Sequence, residues 1–445
     1  MNIHFHIQRL LKPGNWKSLS QLLCKARDSS LYNNAFFLML NTVCTSVLSF
    51  VFWNIMARNF SQTDVGIGSA LNAACGLVSS IAGLGLGFGL VRFLPEMGNR
   101  ATSLLNSAFT LAGTAATAGS VIYLLGIDRF NHALNFLSEN YWLGGFFILF
   151  TIGMALSGLI DQSLIAARSA GYVFWKNFAA SLLKLPLPLL LFASLKGYGI
   201  FAGAETAIFI ALLMALLLFL PRVYKGYYPR PQWVGNILKK VLPFSFSNYL
   251  SGLLGIAPGY IYPLMILNIL GPEQNAYFYM AWMIALVIAI IPGSLSQSLF
   301  AEGSHQPERL RGGGGRRALL IALLLTIPAV GIIFIIGGWL LHFFGPAYAE
   351  NGAGVLRILT ISVIPLCVNY FFMTVNQIKK RVSLIIAQSA FLACTSILLG
   401  YWLLGRIGIE GVGLAYLLSH FLLAVIVFWP LWKELRGEVT NVSSR

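Results

Sequence analysis

A few ionisable residues lie inside long apolar runs of this chain: Lys184, Arg357, Arg92, Asp161 and His420. If those runs cross a membrane, an ionised side chain near the centre costs at least ~2.5 to 3.5 kcal/mol, so each should face a cavity or a partner. Lys184 comes about 12 residues into its run, roughly 18 Å along a helix and close to the midplane. A compact ammonium there suits an anion that must be held and then released; an ion pair with Asp161 on the preceding run is the competing use. Arg92 ends its run near the inner surface, placed either to meet the same anion there or to anchor on lipid phosphates. Arg357 is a third candidate contact, though so near the outer end that its side chain can also snorkel to the interface. Asp161 and His420 are candidates for coupling to an ion gradient, because a carboxylate or imidazole changes its proton affinity as its surroundings alternate between wet and dry. The competing readings are pairing of Asp161 with Lys184 or Arg168, and a neutral His420 hydrogen-bonded between helices. Glu205, near an outer end, is expected to be wet, and Glu96 and Glu302 to pair with neighbouring arginines.

The elements that position these groups follow from composition. The chain is 57% hydrophobic and 10% charged, against about 25% charged in ordinary globular domains. Its apolar runs repeatedly reach the roughly 20 residues that span a bilayer as helix, and they are apolar on every face, which excludes an alternating barrel. The expectation is an all-α polytopic membrane protein of about twelve spans. The first six are 33–56, 65–93, 102–126, 141–167, 172–195 and 200–220; the second six are 241–269, 276–301, 318–343, 354–377, 382–404 and 408–432. Inner segments then hold nearly all of the 30 lysines and arginines, outer segments only Arg58, Arg129, Lys196 and Arg406, while Lys184 and Arg357 fall within spans. This alternation places both termini in the cytoplasm. It also accounts for the net charge of +16 without nucleic acid as a partner. The domains expected are a basic amphipathic tail over 1–32, a first six-helix unit over 33–220, a basic cytoplasmic linker over 221–240, a second unit over 241–432 and a tail over 433–445. The outer loops are short, which argues against a membrane-embedded glycosyltransferase or polymerase.

Proline pairs mark candidate hinges. Pro186 and Pro188 follow Lys184 within one turn, and GIAPGYIYP carries Pro258 and Pro263, so both stretches are expected to bend or unwind. Five cysteines show no metal-type spacing and no disulfide framework. GLGLGFG (Gly83–Gly89) lies within a span and reads as close helix packing rather than a nucleotide fingerprint. GGGG (Gly312–Gly315) lacks the Gly-Lys-Ser/Thr ending of a phosphate loop.

The chain also repeats itself. ARNFSQTDVG (Ala57–Gly66) and LNILGPEQNAYF (Leu267–Phe278), SLFAEG (Ser298–Gly303) and the stretch ending at Glu96, and GYGIFAG (Gly197–Gly203) and GRIGIEG (Gly405–Gly411) recur at about 210 residues. Six spans per repeat is an even number, so the halves enter the membrane in the same direction, as parallel repeats.

The residues Ala57, Arg58, Phe60, Ser61, Val65 and Gly66, with Gly83, Gly85, Arg92, Pro95 and Glu96 closing the second span, resemble the pattern of the polysaccharide exporter family. That family includes O-antigen and other lipid-linked oligosaccharide flippases. The resemblance implies the fold shared with multidrug and toxic-compound exporters, two pseudo-symmetric six-helix lobes around a cavity that opens alternately to either side. It implies a secondary transporter rather than an enzyme, with no cofactor and a proton or sodium gradient as driving force. Its substrate would be a polyprenyl-diphosphate-linked oligosaccharide bound for the outer leaflet of the cytoplasmic membrane. Membrane lipids and polysaccharide polymerase or assembly proteins are the implied partners. An ion-coupled exporter of cationic drugs has the same fold and remains the alternative; a carboxylate-lined cavity would favour it.

Overall fold

The computed structural model describes residues 30–305 and 314–436. The expected amino-terminal tail as far as residue 29, residues 306–313 and the tail beyond residue 436 lie outside the described residues. Within them the chain is helical, with no strand. Inner and outer below are the sides that the charge asymmetry assigns.

The first half comprises α1 (Ser30–Asn59), α2 (Gln62–Ala82), α3 (Leu86–Phe93), α4 (Ala101–Leu125), α5 (Tyr141–Ala166), α6 (Ala170–Leu183) and α7 (Lys196–Met214). The second comprises α8 (Gly235–Leu270), α9 (Pro272–His305), α10 (Gly315–His342), α11 (Pro346–Ile378), α12 (Val382–Ile407) and α13 (Ile409–Arg436). Packing repeats between the halves: α1 lies on α6 as α8 lies on α12, α4 on α5 as α10 on α11, and α6 on α7 as α12 on α13. Two six-helix lobes therefore face each other. They meet where α2 packs on α8 and α9, and where α3 packs on α8.

Eleven stretches of the described residues are long and apolar enough to cross a membrane. Two expected spans are not continuous helices. The fifth, 172–195, is broken: α6 stops at Leu183, a turn runs through Lys184, Leu185 and Pro186, and a short helix resumes at Leu187–Leu190. Two prolines within one turn remove the donors for the carbonyls of Leu182 and Lys184 together. Only the first is recovered nearby, by the Leu185 N–H at 3.2 Å. The second expected span, 65–93, divides at Gly83–Gly85 into α2 and α3. Gly85 has φ +68°, and a Cβ there would lie 2.5 Å from the Tyr249 Cβ, so a left-handed backbone and a close approach to α8 both require glycine. The Tyr249 hydroxyl lies within donating distance of the carbonyls of Ser80 and Ile81, at 2.9 and 2.8 Å, the latter also accepting from the Leu84 N–H at 3.2 Å.

Of the two outcomes expected at Pro258 and Pro263, bending or unwinding, unwinding does not occur: α8 runs unbroken through both. Five residues apart, each removes one hydrogen bond from a separate turn, and neighbouring turns hold the helix. Pro292, Pro328, Pro365 and Pro430 are tolerated in the same way.

The resemblance string ARNFSQTDVG is an outer joint. Ser61 caps α2, accepting from the Asp64 N–H at 3.1 Å, and Asp64 accepts from the Gly197 N–H at 3.0 Å, tying α2 to the start of α7. Asn275 of α9 donates to the Gly66 carbonyl at 2.8 Å. On the inner side, the segment after Val223 is strapped along α4 by a polar stripe at helical spacing. Ser107 accepts from the Val234 N–H at 3.2 Å and Thr110 from the Gln232 N–H at 3.0 Å, while Asn106 donates to the Tyr228 carbonyl at 3.0 Å. Tyr224 donates to the Ser163 carbonyl at 2.7 Å, and burial pushes the phenols of Tyr224 and Tyr227 above the usual tyrosine range.

Candidate functional site

Between the lobes lies a central cavity of about 730 Å³. Such a volume is within the ~300 to 1,000 Å³ of small-molecule sites. Thr42, Ser46 and Ser49 reach it from α1 and Asn72 from α2; Tyr260 comes from α8, Tyr279 and Trp282 from α9, Tyr370 from α11 and Tyr416 from α13. The rings are fixed by their neighbours: Trp282 stands edge-on to Tyr416 at 5.0 Å and to Tyr262 at 5.8 Å between centroids. Two further cavities adjoin it. One of about 440 Å³ shares Met154, Ile256 and Tyr260 and extends under the α2–α3 break to Gln162 and Tyr249. The other, of about 390 Å³, shares Leu286, Ile290 and Tyr370 and follows α9 and α11 inward past Gln297 and Gln377.

The outer side is closed. Asn54 and Arg58 of α1 both donate to the Phe343 carbonyl, at 2.7 and 2.8 Å, and Trp53 meets Tyr279 of α9 at 4.8 Å between centroids. Towards the inner side the two helices present exposed apolar side chains instead, Phe36, Met39 and Val43 on α1 and Leu286, Val287 and Ile290 on α9. Of these, Leu286, Val287 and Ile290 also line the central cavity.

The sequence candidates are not gathered at the cavity. Lys184 sits in the α6 break with its ammonium 5.1 Å from the centroid of the Phe52 ring, with Glu205 of α7 in its surroundings but not in an ion pair with it. Glu205, expected to be wet, is 1% exposed with Oε1 unpartnered. Its helix meets the broken span so closely that a Cβ on Gly203 would lie 2.6 Å from Pro188. Asp161 pairs with neither Lys184 nor Arg168 but with Lys176, at 2.7 Å. Lys176 also donates to the Ser157 hydroxyl and carbonyl at 2.7 and 3.0 Å, and Asn177 donates to Asp161 at 3.2 Å. His420 lies behind Tyr416, rings 4.4 Å apart, its Nδ1 3.1 Å from the Asn369 amide nitrogen, which also donates to the His420 carbonyl at 2.9 Å. Arg357 is exposed and lies over Phe334 of α10, 5.7 Å from the centroid, away from the cavities. Arg92 pairs with Glu96 at 2.7 Å at the inner surface, one helical turn beyond the cavity-lining Phe88.

Lys176 is the group that sequence reading missed, and Glu205, expected to be wet, is the one it misplaced. Lys176 is five residues inside its own span, yet the charge pattern leaves it with the inner loop; Asp161 within the preceding span, needing a cation, was the signal that pointed to it.

No family model matches the chain. It is similar to the probable flippase AglR of Haloferax volcanii, 21% identical over 388 residues that make up 84% of this chain and 78% of that protein. Among solved structures, the lipid II flippase MurJ in an inward closed conformation superposes with a TM-score of 0.71 at 11% identity, covering 92% of this chain and 94% of MurJ. The inward-facing conformation of a multidrug resistance MATE family transporter of the MOP superfamily gives 0.68 at 13% identity, covering 90% and 96%. The chain has the fold of the MOP-superfamily transporters. It is a multi-pass membrane protein, and the proteins it is similar to are flippases and transporters rather than enzymes.

Proposed function

We propose that the chain is a flippase that moves a polyprenyl-diphosphate-linked oligosaccharide from the inner to the outer leaflet of the cytoplasmic membrane, for surface polysaccharide assembly. The observation that carries this reading is the seam between α1 and α9. A cavity closed outside, and walled towards the inner side by exposed apolar side chains of α9, accommodates a polar head while its lipid chain stays in the bilayer. A soluble drug needs no such seam. Among the described residues these cavity linings also contain no carboxylate, the feature a cationic drug would favour. The likeness to AglR and MurJ supports the same choice.

In this reading both termini are cytoplasmic and alternating access is driven by a proton or sodium gradient. Arg92, at the inner mouth below Phe88, meets the diphosphate, and Lys184 in the α6 break exchanges between Glu205 and the passing phosphates. Asp161 is the coupling carboxylate: it is partly accessible and its pair with Lys176 joins α5 to α6, so protonation would release one helix from the other. His420 and Arg357 act on the fold rather than the substrate.

A deletion strain tests the function. Lipid-linked oligosaccharide is expected to accumulate on the cytoplasmic side with loss of surface polymer, both reversed by the intact gene. Unchanged saccharides with heightened sensitivity to cationic drugs would move the chain to the multidrug reading.

A further inference from the structure

The three adjoining cavities share one chemical property that the flippase reading leaves unexplained. Their linings hold tyrosine, tryptophan, serine, threonine, asparagine and glutamine among apolar residues, but no lysine, arginine, histidine, aspartate or glutamate among the described residues. The ionisable side chains within the described spans are engaged elsewhere. Lys176 is held by Asp161 and Ser157, Lys184 lies over Phe52 beside Glu205, Arg357 lies over Phe334, and His420 is shielded by Tyr416.

Such a wall has definite preferences. Trp282, Tyr279 and Tyr416 border the cavity with parts of their rings, an apolar surface for the C–H side of a pyranose, while Ser46, Ser49 and Asn72 line it with hydroxyl and amide groups for its hydroxyls. Because Trp282 and Tyr416 are already braced edge to face, little side-chain freedom is lost on binding. A carboxylate carried into the same space meets no cation, and stripping its water goes uncompensated. A diphosphate fits no better and stays outside these walls.

We propose that this cavity system is a binding site for a neutral glycan: an oligosaccharide of uncharged sugars, such as hexoses and N-acetylhexosamines, without uronic or other acidic residues. The inference rests on the flippase reading and narrows its substrate class. Selection between neutral and acidic glycans is then made by the absence of a compensating charge rather than by a specific contact, the form of discrimination that penalises the wrong partner.

The test uses the purified full-length chain in proteoliposomes with two synthetic probes on the same polyprenyl diphosphate: a neutral tetrasaccharide, and its counterpart in which one sugar is a glucuronic acid. Flipping is read from protection against a membrane-impermeant reagent that attacks a fluorophore on the glycan. The neutral probe is expected to move, and the acidic probe about tenfold more slowly or less. Ser49→Lys, at a half-exposed position of α1 that tolerates a long side chain, is expected to narrow that difference. Equal rates for the two probes in the wild type overturn the neutral-glycan site and leave the flippase reading standing. An undiminished difference in a folded Ser49→Lys protein also overturns it, because the glycan would then not touch this wall. If neither probe moves, the flippase reading fails, and the inference with it.

Discussion

Lys184 and Lys176 show how far a single residue can be read from a membrane sequence. Both are cations inside the fifth span, yet the alternation of charges singles out only Lys184, because position along a span says how deep a charge lies and not what it faces. The structure reverses their standing as pairs: Lys176 is 1% exposed and fully engaged by Asp161 and Ser157, while Lys184 has Glu205 in its surroundings without forming a contact ion pair. Removing one partner of a fully buried pair costs about 3 to 5 kcal/mol, and here, with Lys176 buried and Asp161 partly exposed, the loss of Lys176 should cost less than that but still measurably. Lys176→Met is therefore expected to lower the thermal unfolding temperature in detergent, and Lys176→Met with Asp161→Asn to recover most of the loss. For the looser pair, a double-mutant cycle of Lys184→Ala and Glu205→Gln is expected to give a coupling of about 1 kcal/mol, measured by the same unfolding assay. Lys184→Ala should also abolish transport while membrane insertion persists; full transport by that variant would remove Lys184 from the substrate path.

The broken α6 is the element on which these residues depend. Its prolines made the break legible in the sequence, because two missing donors in one turn cannot both be made good by the same helix. Pro258 and Pro263 carried the same residue type without the same spacing, and α8 stays whole; the useful signal is how close two prolines lie, not how many there are. The glycines on the facing helix complete the arrangement, since α7 accepts the unwound segment only where Gly203 leaves room beside Pro188. Pro186→Ala with Pro188→Ala is expected to let α6 continue past Leu183, each exchange favouring helix by about 3 kcal/mol. The variant should unfold at the same temperature or higher, yet lose transport, because Lys184 would be carried round with the regular helix. Unimpaired transport by a folded double variant would show that the break serves packing alone.

For the whole molecule, the number of spans, their pairing into lobes and the parallel repeat were legible because each is written in a long-range pattern: apolar length, charge alternation, and motifs about 210 residues apart. The cavity was not legible. A helix that is apolar on every face has no periodic stripe to tell lipid from protein or from water, so the residues lining the cavity had to wait for the fold, and the charged residues that drew notice first proved to stand behind or beside it. What the fold adds is a state, closed outside through α1 and α9 and separated along their inner halves. Alternating access requires the outer contact to part in every cycle, and Trp53 and Tyr279, with ring centroids 4.8 Å apart, are the place to hold it shut. In a variant carrying Trp53→Cys and Tyr279→Cys, bridging by a bifunctional methanethiosulfonate, which spans the gap the two rings leave, is expected to stop transport and a thiol reductant to restore it, whereas the two single variants should be indifferent to both reagents. A double variant that transports equally well when fully cross-linked would mean that these helices never separate outside, and the substrate would have to leave by another route.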